Sequence, residues 1–205
     1  MPFLKDFIIN QNTKIKLWKV SAGELKKLKL NDYDRIIMES KKTDLSKEQF
    51  LSIRKLLELE NTNFKIRYDK SGRPSINSKF NISISHSKEV AGIVLSNSSK
   101  MGIDIQFKES KILKIKNKFL NDFERSNTEY KSDIDYLIMI WTAKESIYKA
   151  LGIKGISFSQ NIVINRVIEK EKKGEGYYIN GNDKKKFNLN FFYLDNYTIC
   201  YAYED

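Results

Sequence analysis

The clearest pattern of apolar positions in the chain lies in a stretch that runs from Asp135 to Leu151. It contains neither proline nor glycine, the run ending at Trp141 is apolar on every side, and Gly152 follows where a C-terminal cap is expected. This pattern predicts a buried helix. The same helix carries Glu145 and Lys149, which lie one turn apart and point the same way as Trp141. The two charges indicate either a local ion pair on the surface or a polar cleft that uses both, and the helix alone leaves these interpretations equal.

Alternation of polar and apolar residues predicts strands elsewhere in the chain. The alternating stretches are Lys14–Val20, Phe64–Tyr68, Phe80–Ser85 and Met101–Phe107, and the continuous apolar run Val90–Leu95 is typical of a strand buried on both faces. In the strand that begins at Met101, Asp104 and Gln106 share one face with Gly102, whose missing side chain leaves room for a close neighbour. The pattern therefore predicts two polar side chains side by side on one face of a sheet.

The remaining elements complete two halves of similar composition. Further helices are expected from a cap at Ser21 to about Leu28, over Asp32–Ser40, after a cap at Ser46, and over Ile112–Phe119 and Asp122–Glu129. Further strands are expected over Asn161–Asn165, Gly176–Ile179, Asn188–Tyr193 and Tyr197–Tyr203. Because helices and strands do not alternate strictly, the predicted class is α+β, with halves 1–97 and 98–205 joined near Ser96–Lys100.

Composition and charge limit the classes of protein that fit this pattern. The chain has 205 residues, and its 37 lysines and arginines against 26 acidic residues give a net charge of +11, which favours polyanionic partners. It has one histidine and one cysteine, so a structural zinc site and a disulfide framework are excluded, and Cys200 is expected to be a small core residue. The first residues lack the pattern of a signal peptide, and no apolar run approaches the ~20 residues of a membrane span. We therefore expect a reduced, soluble, cytoplasmic protein.

Polar residues with chemical potential collect in three short segments. These are Ser85-His86-Ser87, the strand carrying Asp104 and Gln106, and the helical segment with Lys144, Glu145 and Lys149. Carboxylate and amide oxygens suit a hard cation such as Mg²⁺, and lysine, histidine and hydroxyl groups suit phosphate. Taken singly, each segment has an ordinary interpretation: a histidine at a strand end is commonly a surface residue, and Asp104 could pair with a nearby lysine.

The order of the three segments resembles the 4′-phosphopantetheinyl transferases of the surfactin-synthetase-activating type. That family carries a Ser-His strand end, then Gly-x-Asp-x-Glu, then Trp-x-x-Lys-Glu-[Ser/Ala]-x-x-Lys. The corresponding segments here run from Phe80 to His86, from Gly102 to Gln106 and from Trp141 to Lys149. Gly72-Arg73-Pro74 stands where a Gly-Lys-Pro segment is usual, and Arg54 stands where a helical arginine is common. Gln106 departs from the pattern, because the family often has Glu there.

The resemblance implies two α+β halves related by a pseudo-twofold axis, with coenzyme A bound in the cleft between them. It implies Mg²⁺ on Asp104 and Glu145, with the role of Gln106 as a third ligand in doubt because its amide lacks a charge. The implied catalytic residues are Asp104, Glu145 and Lys149, with Glu145 as a possible acceptor of the serine proton. Coenzyme A would be bound by the set His86, Ser85, Arg73, Arg54, Lys144 and Lys149.

The implied reaction transfers the 4′-phosphopantetheine arm of coenzyme A to a serine of an apo carrier protein and releases 3′,5′-ADP. Carrier proteins present an acidic surface, which a chain of net charge +11 would attract. A chain with both halves is expected to act as a monomer, without nucleic acid or membrane partners, and the sequence leaves open whether it serves fatty acid, polyketide or nonribosomal peptide synthesis. The alternative is a basic nucleic-acid-binding protein without catalytic activity, although no RRM, KH, zinc-finger or basic-zipper signature is present.

Overall fold

The computed structural model describes residues 3–61, 63–126 and 133–205 and shows a mixed α+β fold. The first part contains β1 (Phe3–Asn10), β2 (Thr13–Lys19), α1 (Asp32–Glu39), α2 (Asp44–Glu60), β3 (Ile66–Tyr68), β4 (Pro74–Ile76), β5 (Asn81–Ser87) and β6 (Val90–Ser96). The second part contains β7 (Met101–Phe107), α3 (Ile112–Phe119), α4 (Asp122–Ser126), α5 (Ile134–Leu151), α6 (Phe158–Asn161), β8 (Ile162–Ile168), β9 (Lys173–Asn180), β10 (Asp183–Leu194) and β11 (Tyr197–Glu204).

Two antiparallel sheets form the centre of the molecule. The first has the strand order β1-β2-β6-β5 and the second the order β7-β11-β10-β9-β8, while β3 and β4 form a separate ribbon. One hydrophobic core lies between the first sheet and α2, a second lies between the two sheets, and a third lies between the second sheet and α5. The order of layers is therefore helix, sheet, sheet, helix, and it confirms the predicted α+β class.

The strongest sequence patterns predict the elements well. Strand β7 has the expected bounds, and Ile103 and Ile105 point into the core between the sheets, as the alternation requires. Strand β6 is buried along its whole length, and α5 ends at Gly152 in the left-handed conformation with φ 63°. Cys200 is a free, buried core residue, as expected. Within the described ranges, no helix combines the length and apolar character that crossing a bilayer requires.

Several local predictions are wrong. Residues 22–27 form turns and not the helix expected after Ser21, because the side chain of Glu48 on α2 accepts a hydrogen bond from Gly23 N–H and holds this segment as a turn. Helix α2 begins one turn earlier than expected: Thr43 is its N-cap, and Ser46 is the third helical residue that completes a capping box. Strands β1 and β4 were not predicted. The end of the expected helix Asp122–Glu129 lies outside the described residues.

Alternate serines of β5 connect the two sheets. The hydroxyl oxygens of Ser83, Ser85 and Ser87 accept hydrogen bonds from alternate backbone N–H groups of β7, at distances of 3.1, 3.0 and 3.0 Å. Strands β5 and β7 each lie at an edge of their sheet, so these N–H groups have no backbone strand to pair with. The serines satisfy them, and this places the end of β5 beside the polar face of β7.

Candidate active site

The fold brings together the three polar segments that the sequence keeps apart. Gly102 on β7 packs directly against the backbone of α5. Only glycine allows this approach, because any side chain at position 102 would collide with the carbonyl oxygen of Ser146. This close approach places Lys149 beside Asp104 on the strand. The predicted close neighbour of the glycine is therefore the helix itself, and the contact sets the distance between the acidic strand and the charged helix.

The carboxylate of Asp104 is the most highly connected group of the site. Its side chain is only 4% exposed, and one oxygen forms an ion pair of 2.7 Å with Lys149 Nζ. The same oxygen accepts a hydrogen bond of 2.9 Å from the hydroxyl of Ser85, and the other oxygen accepts one of 2.8 Å from the amide nitrogen of Gln106. Asp104 is thus held by donors from β5, from its own strand and from α5.

Glu145 lies next to this group with an open carboxylate. It forms no hydrogen bond or ion pair with any residue in the described ranges, since Lys149 pairs with Asp104; of the two interpretations left open for this helix, the local pair with Lys149 does not form. Burial first and then the charge of Asp104 raise the pKa of Glu145, Lys149 opposes the shift, and together they bring the pKa to about 7. Near neutral pH Glu145 is therefore partly protonated, and a bound cation would favour the ionised form of both carboxylates.

The donor set fits Mg²⁺. The oxygens of the two carboxylates are hard ligands, and Mg²⁺ commonly binds one or two carboxylates while it keeps several waters; Gln106 turns its amide nitrogen to Asp104. The described residues contain no cluster of three or more His, Cys, Asp or Glu side chains, so a softer metal with a full protein cage does not fit here. The site is therefore suited to a metal that shares its ligands with a substrate.

A cavity of about 640 Å³ is lined by Lys149, the partner of Asp104, while Asp104 and Glu145 themselves do not line it. Its lining comes from both parts of the chain: α1, the turn before β4 and the strand β5 on one side, and the C-terminal end of α5 on the other. Basic and aromatic side chains dominate the polar part of the lining: Lys41, Arg73, His86, Lys149, Lys154, Tyr33, Tyr68 and Tyr148. Such a cavity is suited to an anionic ligand with a flat ring or an apolar arm.

His86 stands at the end of β5 with its side chain open to the cavity. Desolvation by the surrounding protein lowers the pKa of His86, and the positive charges of Lys149 and Lys41 lower it further. The nearby cations therefore favour a neutral imidazole in the absence of a ligand. A bound phosphate would reverse this balance, because its negative charge favours the protonated ring.

Arg73 joins the turn before β4 to the end of α5. Its guanidinium packs on Gly152 so closely that any side chain at position 152 would overlap it. The turn is fixed by Asp69, whose carboxylate accepts hydrogen bonds from the backbone of Ser71 and Arg73. Arg73 and Gly152 both line the cavity, and the predicted role of Arg73 in binding a ligand there stays a prediction.

The structure contradicts the predicted role of Lys144. Its side chain is completely buried and forms an ion pair of 2.7 Å with Glu124, whose side chain is 1% exposed. Its ammonium also donates to the carbonyl oxygens of Phe119, Phe158 and Ile162. Neighbouring residues on a helix point about 100° apart, so Lys144 faces α3, α4 and α6 while Glu145 faces β7. Lys144 is thus a buried structural residue that does not line the cavity.

Two further predicted ligand residues act behind the cavity wall. Arg54 is buried, donates two hydrogen bonds to Asp34 and one of 3.0 Å to the hydroxyl of Tyr68, and stacks 3.7 Å from the centre of the Phe50 ring. Its guanidinium has no free face for a ligand, although Tyr68 itself lines the cavity. Ser85 likewise uses its hydroxyl on Asp104 and β7 and does not line the cavity.

Sequence reasoning missed most of the cavity wall. Tyr33 on α1, Tyr68 on β3 and Tyr148 on α5 are separate in sequence, and no motif contains the first two. Lys41 and Lys154 look like ordinary surface lysines in a chain rich in lysine. Only the proximity of Lys154 to the end of the motif helix offered a signal.

Comparison with known proteins agrees with this geometry. A family model of the 4′-phosphopantetheinyl transferase superfamily matches residues 100–202, just over half of the chain. The chain belongs to this superfamily. The matched region includes β7 and α5, and thus Asp104, Glu145 and Lys149. A comparison with curated proteins finds no match.

Proposed function

We propose that this protein transfers the 4′-phosphopantetheine arm of coenzyme A to a serine hydroxyl of an apo carrier protein. One observation carries the proposal: Lys149 lines a basic cavity and pairs with Asp104, next to Glu145, in a chain of this superfamily. The cavity would bind the nucleotide end of coenzyme A, and the acidic pair would lie at the pyrophosphate.

The basic residues of the cavity account for binding of coenzyme A. Lys149 would bind the pyrophosphate, since its ammonium already lies at the acidic pair and reaches the cavity. His86 and Arg73 would bind a further phosphate, Arg73 through the bidentate geometry that guanidinium offers to phosphate oxygens. Lys41 and Lys154 add positive charge at the mouth, and the tyrosines offer surfaces for the adenine ring.

Asp104 and Glu145 would hold Mg²⁺, which supplies neutralisation of charge at the pyrophosphate when bound. Gln106 would act on the metal through Asp104, because its amide nitrogen donates to that carboxylate. A protein oxygen that is already fixed by hydrogen bonds loses less freedom when it takes up a ligand. These three residues of the strand and helix would thus bind the metal and the substrate together.

Glu145 would also accept the proton of the carrier serine. Its pKa of about 7 applies to the metal-free carboxylate, and a bound Mg²⁺ would lower that pKa and make Glu145 a weaker base. In the proposed step the serine oxygen forms a bond to the phosphorus next to the pantetheine arm, and the bond from that phosphorus to the bridging oxygen breaks. The leaving group is 3′,5′-ADP, and the serine proton passes to Glu145.

We further propose the surfactin-synthetase-activating type, with halves 1–97 and 98–205 related by a pseudo-twofold axis. The support is that each part places a long helix, α2 or α5, on the outer face of an antiparallel sheet. A single chain that supplies both walls of the cavity would act as a monomer. A cytoplasmic location and an acidic carrier protein, attracted by the net charge of +11, complete the proposal.

Intact-mass measurement tests the function directly. The protein is incubated with coenzyme A, Mg²⁺ and a panel of apo carrier proteins of fatty acid, polyketide and nonribosomal peptide synthesis. We expect one member or more to gain the mass of the phosphopantetheine arm, and Asp104→Ala and Glu145→Ala to abolish the gain while the protein stays folded. Normal transfer by either folded variant would contradict the assignment of the site.

A further inference from the structure

We infer that Ser85 is a positioning residue that fixes the carboxylate of Asp104 from the N-terminal part of the chain. The inference rests on the proposed function, because it gives Asp104 its role at the metal. The sequence prediction placed Ser85 on coenzyme A, but its hydroxyl points at Asp104 from 2.9 Å. Ser85 thus acts on the reaction through another residue.

The hydrogen bonds around Ser85 have only one consistent direction. Its oxygen accepts the backbone N–H of Ile105 at 3.0 Å, so its own proton is free to be donated. The nearest acceptor in the described structure is the Asp104 oxygen that also binds Lys149. Both Ser85 and Asp104 are at most 5% exposed, and a hydrogen bond to a charged group in such surroundings is stronger than one in water.

Ser85 lies on the first sheet, whereas the other two donors to Asp104 lie in the second part of the chain. Gln106 lies on the same strand as Asp104, and the flexible side chain of Lys149 is 25% exposed and also lines the cavity. Among the described residues, Ser85 is the only one from the first sheet that donates to this carboxylate. The orientation of the metal ligand therefore depends on how the two sheets dock.

Ser87 provides a matched comparison on the same strand. Its hydroxyl accepts the N–H of Phe107 at 3.0 Å, as Ser85 accepts that of Ile105, but it makes no contact with a carboxylate of the site. Loss of either hydroxyl leaves one N–H of β7 without its partner, at a higher structural cost for the buried Ser85 than for the partly exposed Ser87. Only the loss of Ser85 also releases Asp104.

The experiment measures Mg²⁺ binding to the isolated protein by titration calorimetry, without coenzyme A, for wild type, Ser85→Ala and Ser87→Ala. We expect Ser85→Ala to bind Mg²⁺ about 10-fold or more weakly, which is the size of effect found when a group that orients a metal ligand is removed. Ser87→Ala should bind Mg²⁺ as wild type does. Ser85→Thr keeps the hydroxyl and should restore most of the affinity, whereas Ser85→Cys, with its weak donor, should not.

Kinetic measurements give a second readout. Ser85→Ala should lower kcat for transfer and leave the KM for coenzyme A within about twofold, because the residue does not line the cavity. Wild-type Mg²⁺ affinity in Ser85→Ala, or an equal loss in Ser87→Ala, would overturn the inference. If Ser85→Ala does not fold, the comparison of Ser85→Thr with Ser85→Cys decides the question.

Asp104→Asn separates failure of this inference from failure of the proposed function. If wild type shows no Mg²⁺ binding that Asp104→Asn removes, the role of Ser85 falls together with the metal site on Asp104 in the substrate-free protein, and the intact-mass assay decides the proposed function separately. If Asp104→Asn removes the binding and Ser85→Ala leaves it unchanged, only the role of Ser85 is wrong.

Discussion

Lys149 Nζ lies 2.7 Å from a carboxylate oxygen of Asp104, and not on Glu145, which precedes it by one turn of the same helix. Lys149 of α5 thus pairs with Asp104 of β7, and the carboxylate of Glu145 on the same helix is left without this partner. In the absence of a divalent cation, the ammonium of Lys149 partly neutralises the oxygen that Mg²⁺ would bind. Metal binding and the position of Lys149 must therefore be coupled.

This coupling predicts opposite effects of Lys149→Met on two ligands. Without the ammonium, Asp104 loses a competing cation, so Mg²⁺ alone should bind more tightly, by about threefold to tenfold. Coenzyme A should bind more weakly, because a phosphate loses its counter-ion. Separate calorimetric titrations with Mg²⁺ and with coenzyme A test both effects. Weaker binding of Mg²⁺ by this variant would show that Lys149 supports the metal and does not compete with it.

His86 offers a spectroscopic probe, because it is the only histidine of the chain. Desolvation, Lys149 and Lys41 lower its pKa in the ligand-free protein. We expect proton NMR of a tag-free sample to show a single imidazole that titrates below its ordinary range. Coenzyme A should raise that pKa, because phosphate favours the charged ring, and so proton uptake should accompany binding below about pH 7.

The ligand-free Lys149→Met protein serves as the control for this assignment. Removal of the nearest positive charge should raise the pKa of His86 even without coenzyme A. A pKa that stays the same in the variant and in the complex would place His86 outside the phosphate site.

Because the pKa of Glu145 is raised, we expect the free energy of unfolding of the metal-free protein to depend on pH. Its pKa is raised from 4.5 to about 7 in the folded protein, so the folded state binds a proton more tightly than the unfolded chain does. Stability is then fully present below the unfolded pKa and falls as pH rises through about 7. Glu145→Gln removes this loss and should raise the free energy of unfolding by roughly 1–2 kcal/mol at pH 8 in EDTA. Urea denaturation should show little difference between variant and wild type at pH 4.

The buried pair of Lys144 and Glu124 predicts a structural and not a ligand-binding effect. Lys144→Met leaves a buried carboxylate without its partner and should destabilise the protein by about 3–5 kcal/mol. Glu124→Gln in the same chain removes the stranded charge and should recover part of that stability, as measured by urea denaturation. A stable Lys144→Met protein that has lost coenzyme A binding would restore the phosphate role that the sequence suggested.

The sequence predicts best those relations in which both residues belong to the same strand or the same helix. The alternation of β7 alone determines that Asp104 and Gln106 share a face, and Gly102 indicates a close neighbour there. The stripe on α5 likewise follows from helical spacing, with Glu145 and Lys149 on one side. These relations are local, so they do not depend on how distant segments pack.

Residues whose partners are distant could not be predicted. Lys144 is adjacent to Glu145 in the motif, but its partner Glu124 lies in a short helix of a basic, irregular stretch. Arg54 is off the main apolar face of α2 and would be solvated, were it not for Asp34 on α1. Burial of a charge depends on a partner supplied by tertiary structure, which a pattern along one helix does not contain.

Gln106 is the position at which this chain departs from the family pattern. Because Gln106 contacts Asp104, the effect of replacing Gln106 by glutamate can be predicted. The amide nitrogen of Gln106 donates to Asp104 at 2.8 Å. Gln106→Glu replaces that donor with a negative charge, so two carboxylates face each other on one strand. In the metal-free protein the repulsion should lower the free energy of unfolding, by roughly 1 kcal/mol. With Mg²⁺ present, the added charge should instead favour the cation, and the Mg²⁺ concentration for half-maximal transfer should fall.

Gln106→Met is the matched control, because it removes the hydrogen bond and adds no charge. It should lower Mg²⁺ affinity slightly, since Asp104 loses one of its three donors. The measurement is a Mg²⁺ titration of activity with coenzyme A saturating, together with thermal melts in EDTA and in excess Mg²⁺. The gain in melting temperature from Mg²⁺ should be largest for Gln106→Glu and smallest for Gln106→Met.

Turnover need not rise with affinity, because tighter binding in the ground state does not itself lower the barrier. The same half-saturation in all three proteins would mean that position 106 faces away from the metal.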